Sequence, residues 1–326
     1  MENRKKIVTI GGGTGSFVVL SGLKKYENID LTAIVSMADD GGSTGVLRDE
    51  YGVLPPGDVR QCLVALSEAD KAMRDLFNFR FSGGSLRGHN FGNIFISAME
   101  KMTGDFAGAL STIKDVLKVR GNVVPVTLEK IKLVAELKTG QKILGQFAVE
   151  QCQLISQFGI KSLGLDKKAK ANPDAIKAIK SADMVIFGPG AFYTSLMPNL
   201  LVDGIAKAIK ESRAKKVYIC NLMNKYGQTD GKTVFELADE VEKYIGGKVF
   251  HKILFNNKKP SASLIKKYAD EGQPVLKGEG SLVGTRLLEA DLLSENIIAR
   301  KKGDPIKRTL IRHDPDKLAK VLVSLL

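Results

Sequence analysis

Two kinds of residue in this sequence are spaced so that they could bind a ligand: glycines that follow apolar runs, and the polar side chains beside them. The stretch IVTIGGGTGSF places four glycines within five positions directly after an apolar run. Glycine tolerates positive φ and lets the backbone approach a phosphate, and the N-terminus of a following helix adds free N–H groups. The stretch therefore predicts an anion-binding loop made of Gly11, Gly12, Gly13, Thr14 and Gly15.

The same loop also has a structural interpretation, as a tight turn between a strand and a helix. Its match to the dinucleotide-binding pattern G-x-G-x-x-G is incomplete, because the third glycine comes one position early, at Gly15. No Gly-Lys-Ser/Thr follows, so the loop is not a Walker A phosphate loop. Phosphate binding and a structural turn both stay open at this point.

Two adjacent aspartates, Asp39 and Asp40, stand in the stretch MADDGGSTG, where a dinucleotide-binding fold carries its ribose-binding acid. One of them could bind a ribose or a metal-bound water, so both are candidate catalytic residues and candidate Mg²⁺ ligands. The residues that follow predict a second anion-binding turn, formed by Gly41, Gly42 and Ser43. The alternative is an Asx turn, in which an aspartate accepts a hydrogen bond from its own backbone.

Polar residues at two predicted helix starts extend the candidate site. In LPPGDVRQC, Asp58 is expected to cap a helix. Arg60 lies in the first turn, where the helix dipole disfavours a cation unless a phosphate or carboxylate faces it. In RGHNFGN, Asn90 and Asn93 are candidate ligand-binding residues and His89 is a candidate acid–base group. A structural role for this histidine stays open.

Two later strand ends add hydrogen-bonding groups. The stretch FGPGAFYTS predicts a second phosphate cradle, made of Gly188, Gly190, Tyr193 and Ser195. Asn221 follows the next strand candidate, where its amide could bind a base or a sugar hydroxyl or could close a turn. In a doubly wound sheet the carboxyl ends of the strands share one edge, so all these groups are expected to converge there.

Short strands that alternate with helices must position these residues. Helical patterns near residues 16–26, 201–212 and 232–244 separate strand candidates rich in Val, Ile and Phe: KKIVTI, LTAIVS, MVIFG, KVYICN and VFHKILF. The alternation predicts an α/β, Rossmann-like fold with a mainly parallel sheet and helices on both faces.

The middle of the chain departs from this alternation. Residues 58–118 have helical patterns apart from FSGGSLRGHN, and they predict a helical insertion over the sheet. The segments VPVTLEKIKLVAEL and QKILGQFAVEQ, on either side of KTG, predict an antiparallel hairpin or an extension of the sheet edge. Since no linker or repeat interrupts the chain, residues 1–326 are expected to form a single domain.

The composition excludes disorder, because 44% of the residues are hydrophobic and 26% are charged. No apolar run is long enough to span a bilayer, and MENRKK is followed by a strand-like stretch rather than a signal-peptide core, so a cytoplasmic protein is expected. Cys62, Cys152 and Cys220 lie far apart, and they are expected to be reduced thiols in the core.

The formal net charge of +13 raises the question of nucleic-acid binding. The lysines are scattered over most predicted helices, Trp is absent, and no RNP-type aromatic pattern occurs. One modest basic cluster consists of Arg300, Lys301, Lys302, Lys307 and Arg308. A solvated lysine-rich surface is therefore favoured, and a nucleic-acid-binding regulator is kept as an alternative.

Six motifs together resemble the signature set of the CofD-like family in order and spacing over most of the chain: IVTIGGGTGSF, SMADDGGSTGVLR, LPPGDVRQ, GHNFGN, FGPGAFYTS and CNLMNKYGQTDG. That family includes 2-phospho-L-lactate transferase, which joins a phospholactyl nucleotide to a deazaflavin. It also includes the YvcK-type gluconeogenesis factors, cytoplasmic proteins tied to carbon metabolism and cell shape.

The C-terminal third favours the YvcK-type branch. The stretches SLIKKYADEGQPV and LIRHDPDKLAKVL resemble the segments by which such proteins hold a UDP-sugar, for example UDP-N-acetylglucosamine. The resemblance implies that Tyr268 and Arg312 contact this ligand, the ring by stacking on uracil and the guanidinium by clamping the diphosphate. It further implies a regulator with no established turnover. A homo-oligomer and the identity of a regulatory protein partner stay open.

The transferase is the second interpretation of the resemblance. In it, Asp39 and Asp40 would hold Mg²⁺ against the diphosphate and stabilise the leaving nucleotide. A flat deazaflavin acceptor would need a broad aromatic pocket, and this sequence has only 6% aromatic residues and no Trp. The composition thus favours the regulator, while enzymatic turnover stays open.

Overall fold

The structure is a computed structural model that describes residues 4–278, 286–296 and 310–326. Its strands, in chain order, are β1 Lys5–Gly11, β2 Ile29–Val35, β3 Asn122–Pro125, β4 Leu133–Leu137, β5 Lys142–Leu144, β6 Ile160–Leu165, β7 Met184–Phe187, β8 Lys215–Ile219, β9 Lys252–Asn256 and β10 Leu287–Ala290.

Seven of these strands form one sheet in the spatial order β10-β9-β8-β7-β1-β2-β3, and every neighbouring pair is parallel. A smaller antiparallel sheet has the order β5-β4-β6. The predicted Rossmann-like α/β fold with a mainly parallel sheet is confirmed. The central strands were recognisable because both of their faces are buried, so that all four residues of β7 are buried and read as an unbroken apolar run.

The helices are α1 Gly13–Leu23, α2 Gly42–Tyr51, α3 Pro56–Leu66, α4 Lys71–Asn78, α5 Phe91–Thr103, α6 Phe106–Val116, α7 Gln146–Gln151, α8 Leu154–Phe158, α9 Pro173–Ser181, α10 Met197–Leu200, α11 Ile205–Glu211, α12 Val234–Ile245, α13 Ala262–Asp270 and α14 Pro315–Ser324. A π-helical turn, Phe192–Leu196, precedes α10.

Helices cover both faces of the main sheet, as the alternation predicted. The chain runs from β1 outward to β2 and β3, returns to β7 on the other side of β1, and continues to β8, β9 and β10. Since parallel crossovers are right-handed, the two directions place the connecting helices on opposite faces. On one face α1 packs against α3 and α14, and on the other α11 packs against α9 and α12.

The helical segment predicted at 58–118 connects β2 to β3. One of its helices belongs to the layer on the sheet, and its later helices pack outside that layer. The segment begins before the predicted boundary, at Gly42, and ends with α6. Helix α3 packs directly against α1 and is part of the layer on the sheet, whereas α4, α5 and α6 pack outside it on one another and on α2 and α3. The stretch FSGGSLRGHN contains no helix of its own.

The predicted hairpin around KTG is formed by β4 and β5, which are antiparallel, with Val134 opposite Leu144. Two parts of the predicted segments differ from a hairpin. The stretch that includes Val123 and Val124 is β3, which pairs with β2 in the main sheet. The stretch after β5 is helix α7, and Asp40, from the loop after β2, accepts a hydrogen bond from the Phe147 N–H at its first turn.

A continuous apolar core spans the sheet and its covering helices and includes residues of the small antiparallel sheet. Cys62 and Cys220 are buried free thiols, and Cys152 is half-buried. Burial raises the pKa of both buried thiols well above the usual range, which keeps them protonated and unreactive. Across the three described stretches of the chain, no helix combines the length and the apolar character needed to cross a membrane.

Candidate functional site

The glycine loops that follow β1 and β7 meet at the point where the order of the strands reverses. A methyl group on Gly15 would lie less than 3.0 Å from the carbonyl oxygen of Pro189, and one on Gly190 would lie 3.5 Å from the carbonyl oxygen of Gly12. Gly13, Gly188 and Gly190 have φ of 63°, 72° and 156°, which residues with a side chain rarely adopt. The two loops need glycine because their backbones touch. In open α/β sheets this switch point is where ligands bind.

Three helix starts point into the same region. Helix α1 begins at Gly13, α3 begins at Pro56, and the π-helical turn begins at Phe192, and in none of them does the N-cap residue itself cap the helix with its side chain. The hydroxyl of Ser195 lies 3.8 Å from the position that a methyl on Gly13 would take, which brings the third start next to the first. Unpaired N–H groups at helix starts attract anions, so the region favours a negatively charged ligand.

Asp58 lies at the centre of these helix starts, and the prediction that it caps its helix is wrong. The N-cap of α3 is Pro55, and Asp58 is inside the first turn. Its side chain instead crosses to the first glycine loop, where a methyl on Gly12 would lie less than 3.0 Å from Asp58 Oδ2. Gly12 is therefore fixed as glycine by the Asp58 carboxyl group.

The carboxyl group of Asp58 is buried and only partly satisfied. The residue is 7% exposed, and Oδ2 has no hydrogen-bond partner in the protein. Burial, followed by the nearby charge of Asp39, raises its pKa to about 7, although the Gly13 N–H and Arg60 act in the opposite direction. An unfilled acceptor at this position marks a site that can still take a proton or a ligand.

Asp39 forms the predicted Asx turn and also reaches Asp58. Its Oδ1 accepts from the Gly41 N–H at 3.0 Å, and its Oδ2 lies 2.6 Å from the position of a methyl on Gly57, the residue before Asp58. Burial raises the pKa of Asp39, while hydrogen bonds from Gly41 and Thr44 lower it. The Asx turn uses only Oδ1 of Asp39. The other oxygen, Oδ2, faces the start of α3, and the turn does not account for its position.

Asp40 points away from Asp39, toward the small sheet. Its Oδ1 accepts from the Phe147 N–H at 2.7 Å, and its Oδ2 lies close to Gly145. The structure thus uses Asp40 to hold the start of α7. Among the residues described here, no group of three or more His, Cys, Asp or Glu side chains is arranged to hold a metal ion. The two carboxyl groups that lie together are those of Asp39 and Asp58.

Ser43, His89, Asn90 and Asn93 form a hydrogen-bonded group at the start of α2 and α5. The Ser43 hydroxyl lies 3.3 Å from Nδ1 of His89 and accepts from the Asn90 N–H at 3.2 Å and from the Asn93 amide at 3.4 Å. Asn90 caps α5 by accepting from the Asn93 N–H. The sequence analysis placed Ser43 in one motif and the other three residues in another, and these bonds join the two motifs at the helix starts beside Gly42.

Arg60 is buried, and the bonds of its guanidinium group are internal. It donates to Asn93 Oδ1 at 2.9 Å, to Asn78 Oδ1 at 2.7 Å and to the Phe77 carbonyl. The cation near the start of α3 also faces the Asp58 carboxyl group, whose pKa it lowers. These hydrogen bonds of Arg60 thus join α3 to α4 and α5, and Arg60 braces the site from behind.

The side chains at the second predicted phosphate cradle support the loop or pack in the core. Asn221 accepts from the Gly190 N–H at 3.1 Å and donates to the Gly190 carbonyl at 2.9 Å, which fixes the loop. Tyr193 is 2% exposed and its hydroxyl donates to Glu240, so its ring packs in the core rather than at the edge. Asn199, which no sequence motif singled out, donates to the carbonyl oxygens of Gly11 and Ser195 and joins the two cradles.

Tyr268 and Arg312 lie in a different setting. Tyr268 is 5% exposed within a small apolar cluster with Leu222, Leu293 and Ile311, and its hydroxyl accepts from the Leu310 N–H at 2.7 Å. Neither side of its ring is open for stacking in this arrangement. The backbone carbonyl of Arg312 accepts from the Ser294 N–H, and its side chain is half-buried and has a partner. The basic cluster from Arg300 to Arg308 lies outside the described residues.

The fold and the site define a doubly wound α/β protein with paired glycine loops at the switch point of its sheet. The chain belongs to the CofD family, since the family model described as "2-phospho-L-lactate transferase CofD" matches residues 7–296. The resemblance found in the sequence motifs is thereby confirmed.

Relatives match along nearly the whole chain. A protein of Nostoc sp. named "Putative gluconeogenesis factor" is 44% identical over 98% of this chain and 68% of its own length. The "Gluconeogenesis factor" of Bacillus subtilis is 37% identical over 100% of this chain and 99% of its own. A crystal structure of a UPF0052 family protein from Bacillus halodurans is 36% identical, covers 99% of this chain and 100% of its own, and superimposes with a TM-score of 0.89.

Proposed function

We propose that the protein binds the diphosphate of a nucleotide-sugar, such as UDP-N-acetylglucosamine, at the switch point of its sheet. In this proposal the Thr14 N–H binds one phosphate, and the loop from Gly188 to Ser195 faces the other. The observation that carries the proposal is the convergence of three helix starts on the two touching glycine loops, around the unpaired Oδ2 of Asp58. Such a surface binds an extended anion better than a single charge.

The proposed biological role is that of a cytoplasmic regulator of carbon metabolism and cell shape, for which the nucleotide-sugar is a signal rather than a substrate. It is supported by the relatives in Nostoc sp. and Bacillus subtilis, which are named as gluconeogenesis factors and match nearly all of this chain. Tyr268 and Arg312 stay predictions from the resemblance, since the apolar surroundings of Tyr268 give a structural reason for its presence.

A thermal-shift titration tests ligand binding, with UDP-N-acetylglucosamine, UDP-glucose, GDP with Mg²⁺, and NAD as probes. A ligand at about a hundred times its dissociation constant adds about 2.7 kcal/mol, which raises the midpoint by several degrees. We expect a selective rise with the UDP-sugars. A rise with NAD alone would contradict the proposal.

A charge at Thr14 separates binding from folding. Thr14 is exposed in the first turn of α1, where an acidic side chain is favourable for the helix but repels a diphosphate. We expect Thr14→Glu to keep the melting temperature of the free protein and to lose at least about tenfold in affinity for UDP-N-acetylglucosamine. Thr14→Gln, which is similar in size but neutral, is the matched control. Equal affinities of the two variants would place the diphosphate elsewhere.

A Mg²⁺-dependent 2-phospho-L-lactate transferase is the second candidate function. The observation that favours it is the pair of neighbouring carboxyl groups, Asp39 and Asp58, beside the proposed diphosphate position. An unpaired carboxylate oxygen on Asp58 suits a hard cation that also takes oxygens from the diphosphate and from water. Bound there, Mg²⁺ would neutralise charge on the leaving nucleotide.

Turnover distinguishes the two functions. If the transferase is correct, incubation with a phospholactyl nucleotide, a deazaflavin acceptor and Mg²⁺ releases nucleotide, and Asp58→Asn abolishes the release. If the regulator is correct, no release occurs above the rate without protein, and UDP-N-acetylglucosamine still raises the melting temperature.

A further inference from the structure

An exposed aromatic ring lies beside the second glycine turn, and the roles assigned above do not use it. Phe147 is 52% exposed, and its neighbour along the chain Leu144 is 56% exposed. A methyl on Gly41 would lie 3.2 Å from the Phe147 ring, so the ring covers the residue just before α2. Gly41 follows Asp39 and Asp40, which places the ring at the border of the polar region rather than on a remote surface.

The backbone that carries Phe147 is held at both ends of α7. The Phe147 N–H donates to Asp40 at one end, and at the other end Glu150 pairs with Lys225 at 2.6 Å. Between them Val149 is fully buried, and α7 packs against the π-helical turn. The ring is therefore exposed on a rigid support, and a ligand that contacts it need not first order a loop.

A second exposed aromatic ring, that of Phe158, shows by comparison what distinguishes Phe147. Phe158, at the end of α8, is 41% exposed, and single exposed aromatic residues are common on protein surfaces. Phe147 differs because it adjoins a glycine turn and two carboxyl groups whose bonds fix the start of α2 and α7. A flat apolar surface beside the Gly41 turn, on a helix that packs against the π-helical turn of the second cradle, matches a ligand with one planar end and one charged end.

We propose that Phe147 forms a stacking wall for the base of the bound nucleotide, with the base lying over the ring while the diphosphate lies on the glycine loops. This inference rests on the proposed function, and it adds a specificity-determining residue outside the sequence motifs. Base–aromatic stacking tolerates any base, because every base has a π-face. The wall therefore provides affinity for a nucleotide over a free diphosphate, and other groups select the base.

Isothermal titration with UDP and with inorganic pyrophosphate tests the wall, because the two probes share the diphosphate and differ in the nucleoside. We expect Phe147→Ala to weaken UDP binding by about tenfold and to leave pyrophosphate binding within about twofold. Phe147→Tyr keeps a ring and should bind UDP as the unchanged protein does. Phe158→Ala is the control for loss of an exposed ring, and melting temperatures verify that all variants are folded.

Each result of these titrations supports or overturns the stacking wall. Unchanged UDP affinity in Phe147→Ala overturns the stacking wall and leaves the diphosphate site standing. Equal loss for UDP and pyrophosphate also overturns it, since the ring would then act by supporting the loops. If the unchanged protein binds neither UDP nor UDP-N-acetylglucosamine, the proposed function fails and the wall fails with it.

Discussion

Two regions at the carboxyl edge of the sheet were assigned to the same ligand, and their hydrogen bonding differs. At the switch point, the buried Oδ2 of Asp58 has no hydrogen-bond partner in the protein. In the C-terminal cluster of Leu222, Tyr268, Leu293 and Ile311, the one polar group of Tyr268 is satisfied by the Leu310 N–H.

Since a buried polar group without a partner costs free energy, a region that retains such groups needs a reason other than stability. In the proposed function, a ligand is that reason at the switch point. Within the C-terminal cluster, the apolar contacts and the hydrogen bond of Tyr268 already stabilise the fold, although Nε2 of the adjoining His313 is buried without a partner. The comparison predicts that changes at the switch point affect binding and pH dependence, and that changes in the C-terminal cluster affect stability alone.

The largest effect is expected where the two glycine loops touch. Gly15→Ala would place a methyl less than 3.0 Å from the Pro189 carbonyl, and backbone atoms cannot move aside as a flexible side chain can. We expect the free energy of unfolding to fall by about 3 kcal/mol in urea denaturation. Gly83→Ala is the control, because nothing lies within 4 Å of its Cβ position. Similar losses in the two variants would refute the close approach of the loops.

The second effect is a pH dependence from Asp58. Its pKa is about 7 in the folded protein, above the ordinary value of 3.8, so between these pH values the folded state binds more protons than the unfolded state. The contribution of Asp58 is therefore most favourable at low pH and is lost as the pH rises through this interval. In Asp58→Asn that dependence is absent.

Urea denaturation at pH 5 and pH 8 measures the difference. Relative to the unchanged protein, we expect Asp58→Asn to gain about 2 kcal/mol of stability on going from pH 5 to pH 8. If the free energies of unfolding of the two proteins differed by the same amount at pH 5 and pH 8, the Asp58 carboxyl group would be ionised in the folded state throughout this range. The contrast between the switch point and the C-terminal cluster would then be weaker.

A smaller effect is expected in the C-terminal cluster. Tyr268→Phe removes the acceptor of the Leu310 N–H and keeps the ring, so we expect a loss of about 1 kcal/mol in stability and no change in affinity for UDP-N-acetylglucosamine. Calorimetric titration at a temperature where the variant is folded verifies the affinity. A loss of tenfold or more would instead support the contact implied by the family resemblance and would make both regions parts of one pocket.

The smallest effect is expected at Asp40. Asp40→Asn retains an oxygen that can accept from the Phe147 N–H, so we expect a loss of at most about 0.5 kcal/mol in stability and a change in UDP-N-acetylglucosamine affinity of less than about threefold. The same titration of Asp39→Asn sharpens the comparison, because Asp39 faces the start of α3. If Asp40→Asn weakened binding more than Asp39→Asn, Asp40 would belong to the ligand site after all.

The sequence by itself determined the fold class, and it predicted a candidate site at the carboxyl edge of the sheet. Buried parallel strands are continuous apolar runs, as in β7, and a glycine loop between such a run and a helix has few other structural solutions. These local features depend on near neighbours in the chain, so spacing was enough to predict the glycine loops after β1 and β7 and the hairpin of β4 and β5.

Only the tertiary structure decided which way the side chains point. Asp58 crosses to Gly12, Asp40 holds α7, Arg60 braces α3 and α5, and Tyr193 is in the core, although the sequence offered all four as residues of one edge. Strands β3, β6 and β10 also went unpredicted, because their pairing depends on partners far along the chain. Hydrogen bonds between distant segments set these roles, and residue type and spacing do not specify which distant partner each side chain meets.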